Sequence, residues 1–212
     1  MTGGILSDSA ILGAVDSGDI EIDPFDPKQL NPASYDLRLG SEVAVYDRWV
    51  HSKNEKENPA RGWYLSPTSS PVFPATPEDV HDVRLEPKVT RFEIGDGGWI
   101  LKPGIGYLLA TTESVHTKKY VGCIDGKSSL GRLFITAHCT AGYIDPNFRG
   151  NVTLEVTVTH SVRVYAGMRI AQIRFHTLHG DVGKLYDGNY KGETSRGPVA
   201  SRAWKQFERD GK

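Results

Sequence analysis

The sequence predicts a mainly β protein, an antiparallel sandwich or barrel, on three observations. Short alternating runs recur along the chain with glycine between them, as the strands of such folds do. Pro103-Gly104 and Ala166-Gly167 are turn signals between successive runs, because proline presets one turn angle and glycine accepts the other. In Asn151-Val152-Thr153-Leu154-Glu155-Val156-Thr157-Val158 the apolar side chains hold the even positions, the two-residue period of a strand with one buried face.

Taken in order, the elements begin with a short helix that Ser7 or Asp8 caps, with Ile11, Leu12 and Val15 on one face and Gly18 at its end. A brief strand follows at Ile20 and Ile22, and then an alternating strand at 35–40 with Tyr35, Leu37 and Leu39 as its apolar members. Residues 51–77 hold five of the twelve prolines and read as a surface excursion. Its Trp63, Tyr64, Val72 and Phe73 are too apolar for a purely solvated loop, so they are expected against the body or a neighbouring subunit. Further strands are expected at 89–94, 99–101, 106–111, 120–124, 152–158, 162–165 and 170–175. Between them, 126–155 reads as turn, strand, turn, strand, with Leu130, Leu133, Phe134 and Ile135 on the core side. Residues 186–212 lack periodicity and read as a tail that gains order by docking.

A chain of 212 residues with 38% hydrophobic content buries one good core, so residues 1–212 are expected to form a single domain. A net charge of -1 supplies no basic face for a nucleic acid duplex, although a few cations suffice for a small anion. The two cysteines, Cys123 and Cys139, read as small buried hydrophobes. No apolar run approaches a signal or membrane segment, and the expectation is a cytoplasmic protein with reduced thiols.

Several motifs resemble those of the dCTP deaminases, the family that shares its fold with trimeric dUTPases. They are Ile5-Leu6-Ser7-Asp8, Pro32 to Gly40 (PASYDLRLG), Gly126-Lys127-Ser128-Ser129-Leu130-Gly131-Arg132-Leu133, and Thr140-Ala141-Gly142-Tyr143-Ile144-Asp145-Pro146 followed by Gly150 and Glu155. Pro103-Gly104, Ala166-Gly167-Met168, Gly197-Pro198 and Ser201-Arg202 support them. The resemblance implies a homotrimer of distorted jelly rolls, with active sites built between subunits and closed by the C-terminal tail. It also implies deamination without zinc. The residues agree independently, since the His-x-Glu and Pro-Cys-x-x-Cys spacings of zinc deaminases do not occur.

Periodicity alone leaves Glu155 an ordinary glutamate on a solvent or subunit face. The resemblance makes it the catalytic group, a single carboxylate that takes a proton from water and returns it to the leaving amine. It further implies that the Ser128 hydroxyl and the Ala141 carbonyl hold that water, and no His-Asp relay suggests a nucleophilic role for Ser128. Arg132 carries a permanent charge on a rigid fork, suited to phosphate or to the catalytic carboxylate. Lys127 and Ser129 fit phosphate contacts, with a solvated turn lysine as the alternative for Lys127. Asp145 either braces its turn by an Asx hydrogen bond or, by resemblance, faces the sugar and a second water. Backbone groups from Ala141 through Gly142 and Tyr143 to Ile144 are implied to read the pyrimidine. In the tail Tyr186, Tyr190 and Gly192 resemble the phosphate-closing segment, whereas Asn189 and Glu193 stand where Lys and Gln are usual, with Lys191 as a substitute charge. Magnesium is expected to arrive on the triphosphate. The implied ligands are dCTP, dUTP and, as a feedback inhibitor, dTTP. Gly142 leaves room near the ring, and the turn is closer to forms that continue to dUMP and pyrophosphate than to those that stop at dUTP. A plain dUTPase and a non-catalytic nucleotide-binding trimer are the competing readings.

Overall fold

The computed structural model describes residues 3–46, 82–190 and 197–209. The 51–77 excursion therefore lies outside the described residues. Helix α1 (Asp8–Asp16) opens the fold with Ser7 as its cap, the Oγ accepting from Ala10 N. Ile11 and Ala14 are its buried residues, while Leu12, expected on that face, is 39% exposed. A helical step of three places Ala14 below Ile11 and swings Leu12 outward.

Twelve strands follow among the described residues. They are β1 (Ile20–Asp23), β2 (Leu30–Asn31), β3 (Ser34–Tyr46), β4 (Val89–Glu93), β5 (Trp99–Leu101) and β6 (Tyr107–Thr117). The second half comprises β7 (Tyr120–Gly126), β8 (Ile135–Thr136), β9 (Tyr143–Ile144), β10 (Arg149–Val158), β11 (Val162–Val164) and β12 (Arg169–Thr177). Ten form one sheet along the path β8-β10-β6-β3-β12-β7-β9, with β1 on β6 and both β2 and β4 on β3. β5 and β11 form a separate pair. Every pairing is antiparallel, and the sheet curls into a half-barrel.

The curl has local causes. β3 pairs with β12 through Tyr35 to Arg38 and with β4 through Glu42 to Tyr46, and its register against β6 slips between Leu39 and Val43. Such a bulge bends the strand and lets it serve two sheet faces. The turns predicted at Gly104 and Gly167 hold those glycines at φ 80° and 78°, a region that penalises a Cβ.

The core is apolar and continuous. Tyr35, Leu37 and Leu39 of β3, Leu109 of β6, Leu154 and Val156 of β10 and Ile170, Ile173 and Phe175 of β12 are fully buried, each contributing about 1.5–3 kcal/mol. Among its buried polar groups, Glu113 accepts from Arg38 N at 2.8 Å, Arg38 Nε at 2.7 Å and Gln29 Nε2 at 3.0 Å. That tie locks β3 to β6, and removing one partner from such a buried pair costs about 3–5 kcal/mol.

One segment differs from expectation. The Lys-Ser-Ser turn is one turn of helix, α2 (Ser128–Gly131), with Arg132 N donating to Ser128 O at 3.1 Å. Leu130 packs on the core and Ile135 is buried, but Leu133 and Phe134 are 46% and 61% exposed. Phe134 sits at φ 53°, a left-handed step that ends the helical turn. The tail, read as a segment without periodicity that gains order by docking, ends in helix α3 (Lys205–Arg209).

Candidate active site

β10 carries the central side chain. Its even positions from Val152 to Val158 are buried and its odd positions half-buried, so Glu155 stands on the face opposite the core, beside Thr153 and Thr157. That face, expected to meet solvent or a subunit boundary, bears a cavity of about 430 Å³. Glu155, Thr153, Asn151 and Val152 of β10 line one wall, with Leu108 of the adjacent β6. Cys139, Thr140, Ala141, Tyr143, Ile144, Asp145 and Phe148 line another. Tyr186, Tyr190, Val199 and Ser201 of the tail and Tyr46 of β3 complete it.

Burial pushes the Glu155 carboxyl above the ordinary glutamate range, against the pull of its own N–H, the His138 ring and the Cys139 N–H. A carboxyl held this way keeps its proton to higher pH, which suits a group that must both take and give one. Cys139, expected to be buried, is exposed with its thiol free. Its Sγ lies 3.6 Å from the Glu155 backbone oxygen. It left the core because the 139–141 stretch runs over the β10 face rather than under it.

The Thr-Ala-Gly turn is pinned to β7 by Ile124 N donating to Gly142 O at 2.6 Å. A Cβ on Gly142 would stand 2.7 Å from Ile124 O and 2.8 Å from the His138 ring, so only glycine fits between them. The Asp145 turn is closed by Phe148 N donating to Asp145 O at 3.1 Å. Asp145 is exposed and is among the residues that line the cavity.

The tail docks on its own chain across the mouth. Tyr186 N donates to Pro146 O at 2.9 Å, Asn147 Nδ2 to Tyr186 O at 3.1 Å and Tyr190 N to Tyr186 OH at 3.1 Å. Val199 N donates to Thr153 Oγ1 at 3.0 Å and Ser201 N to Tyr46 OH at 3.2 Å. Asn189 and Arg202 clasp each other, with Arg202 Nη1 donating to Asn189 O at 2.6 Å and Asn189 Nδ2 to Arg202 O at 3.3 Å. Asn189, the departure noted in the sequence, therefore serves the tail's own closure. Lys191, Gly192 and Glu193 lie outside the described residues.

The α2 group lies elsewhere. Lys127, Ser128, Ser129 and Arg132 are absent from the cavity lining, and Arg132 Nη1 donates to Ser128 O at 3.2 Å. Lys127 is not a solvated lysine: it pairs with the carboxylate of Asp36, which is 1% exposed.

A family model described as dCTP deaminase-like matches residues 5–178. The chain belongs to the dCTP deaminase-like family. A relative from Leptospira biflexa named "dCTP deaminase, dUMP-forming" is 35% identical over 205 residues, covering 97% of this chain and 99% of its own. One of the same name from Clostridium acetobutylicum is 34% identical over 189 residues, covering 89% and 91%. The crystal structure of 2'-deoxycytidine 5'-triphosphate deaminase from Agrobacterium tumefaciens is similar with a TM-score of 0.54 and 25% identity, over 84% of this chain and 50% of that one.

Within this dCTP deaminase-like chain, the fold brings together Glu155, Ala141, Tyr143, Ile144, Asp145, Tyr186 and Tyr190 and leaves Lys127, Ser128, Ser129 and Arg132 apart from them. Gly142 shapes the wall without lining it. The strand period already sets Thr153 on the face of Glu155, though without a site role, and Asn151, which shares that odd parity, was missed. Tyr46, Phe148 and Val199 left no such signal, since their place depends on chain crossings. Among the described residues no three His, Cys, Asp or Glu side chains gather as a metal site requires, and no helix is long and apolar enough to cross a membrane.

Proposed function

We propose that this protein hydrolyses dCTP to dUTP and ammonia and carries dUTP on to dUMP and pyrophosphate. The observation that carries the reading is Glu155, a carboxyl raised by burial inside a cavity framed by the Thr140 to Asp145 turn and roofed by the tail. The names of the relatives, dUMP-forming dCTP deaminases over nearly their whole length, support the same substrate and product.

In this mechanism Glu155 removes a proton from water as the oxygen adds to C4 of cytosine. The same proton then goes to the 4-amino group, the C4–N4 bond breaks, and ammonia leaves. The Ala141 carbonyl and the Ser128 hydroxyl hold the water, and backbone groups from Ala141 to Ile144 read the ring. For the second step Asp145 helps place a water near the phosphates, whose attack on the α-phosphorus expels pyrophosphate. Magnesium arrives on the triphosphate, as this hard ion does with nucleotides.

Ser128 and Arg132 reach a Glu155 cavity, in this reading, from a neighbouring subunit of a homotrimer. Exposed Leu133 and Phe134, next to Arg132 in the chain, support a buried contact there, at 46% and 61% exposure. Tyr186, Tyr190, Lys191 and Glu193 close on the phosphates, and dTTP competes for the same site. The setting is cytoplasmic nucleotide metabolism. Incubation of the protein with dCTP, dUTP and dCMP separately, with magnesium, followed by chromatography, tests the reading. Formation of dUMP and pyrophosphate from dCTP supports it; stable dUTP would limit the activity to deamination, and turnover of dUTP alone would make the protein a dUTPase.

A further inference from the structure

Glu21 on β1, His116 on β6 and Arg149 on β10 are register partners in one row across the sheet. Directly opposed residues project on the same face, and here the outer two reach each other. Arg149 Nη1 and Nη2 donate to the Glu21 carboxylate at 2.7 and 2.9 Å, so the ion pair spans the middle strand over His116. The two ends of the row are exposed, whereas His116 is 5% exposed.

A buried imidazole needs a partner, and His116 Nδ1 has one in Phe148 O at 2.9 Å. A carbonyl only accepts, so Nδ1 carries the hydrogen of this pair. Nε2, on the other side of the ring, has no partner among the described residues. The next residue of β6 repeats the attachment through the backbone, Thr117 O accepting from Asn147 N at 2.6 Å. Asn147 turns there at φ 78°, a left-handed step that asparagine tolerates. The corner 145–148 is therefore hung on the end of β6. It carries Asp145 and Phe148, which line the cavity, and it seats the tail: the Phe148 ring meets Tyr186 edge to face at 6.1 Å, and Pro146 O and Asn147 Nδ2 hold the Tyr186 backbone. Glu155 is mounted separately. The register of β10 against β6 slips between Asn151 and Thr153, then resumes with Thr153 opposite Ala110 and Glu155 opposite Leu108.

We propose that His116 is a positioning residue for the second half of the reaction: its Nδ1–H fixes the Asp145 to Phe148 corner, whereas deamination at Glu155 depends on it little. The inference rests on the reading of the protein as one that carries dCTP through dUTP to dUMP. Without the donor the Phe148 carbonyl loses its partner and the corner shifts, and a misplacement of about 1 Å at a reacting group costs up to about a hundredfold in rate. Arg149 and Glu21, closed over the ring, keep water from competing for that carbonyl.

Parallel measurement of ammonia and pyrophosphate release from dCTP by the full chain tests this. Wild type is expected to release the two together. His116→Leu, which loses the donor, is expected to release pyrophosphate about tenfold more slowly than ammonia, so that dUTP accumulates. His116→Asn places its amide where Nδ1 lies and is expected to restore the pairing of the two products; His116→Gln places it where Nε2 lies and is not. If His116→Leu fails to fold, the contrast between His116→Asn and His116→Gln decides the matter. Equal rates of the two releases in folded His116→Gln, slowed or not, would overturn the proposal. A wild type that forms no dUMP from dCTP refutes the proposed function instead. Hydrogen exchange at the Tyr186 amide then decides whether His116 holds the corner: faster in His116→Gln than in His116→Asn if it does, and the same in both if it does not.

Discussion

Thr153 Oγ1 accepts the Val199 N–H at 3.0 Å, which lays the tail along the same strand face that carries Glu155. One strand thus anchors both the catalytic candidate and the segment that covers it. Thr153→Val keeps the shape and removes the acceptor, at a cost of about 1 kcal/mol to tail docking. Faster hydrogen exchange at Val199 and a several-fold rise in KM are expected; an unchanged exchange rate would separate the tail from this contact.

Glu155→Gln preserves size and loses the proton shuttle. The turnover rate for dCTP falls by roughly 2 to 4 orders of magnitude, while calorimetry still detects nucleotide binding. Near-normal turnover would remove Glu155 from the mechanism.

The same substitution carries a stability signature. Burial raises the Glu155 pKa in the folded state, so the protonated form is the one the fold favours. That contribution is fully present below the unfolded carboxylate pKa and is lost as pH rises through the folded value. Glu155→Gln cannot ionise, and it is expected to melt a few degrees above wild type near neutral pH. The gap should close as pH falls to about 4. Thermal melts across that range check both the sign and the window.

Arg132 and Glu155 do not share a cavity within one chain, so the proposed trimer makes its sites from different subunits. Neither Arg132→Ala nor Glu155→Gln chains are expected to be active alone, and mixing them with subunit exchange is expected to restore a fraction of wild-type turnover. A fully active monomer in light scattering would refute shared sites.

Phe134, at 61% exposure and φ 53°, tests the same contact without touching the chemistry. Aspartate tolerates that left-handed backbone better than most residues, so Phe134→Asp should fold and yet run as a monomer with lost activity.

Much of the fold and part of the site were legible because they depend on local rules. Alternation along 151–158 placed Glu155 off the core, the Ser7 cap started α1, and Pro103-Gly104 and Ala166-Gly167 marked real turns. The Gly126 to Arg132 and Thr140 to Pro146 motifs carried the family, which the matched residues 5–178 then established. Tertiary structure alone decided which polar groups meet. Asp36 sits at a strand position that pattern reading assigns to solvent, and it is buried only because Lys127 and Arg169, 91 and 133 residues further along the chain, are brought over it by β7 and β12. The cavity over Glu155 is likewise completed by a tail some forty residues downstream in sequence. Desolvation and ion pairing act through space, and no local periodicity encodes which distant segment will close the distance.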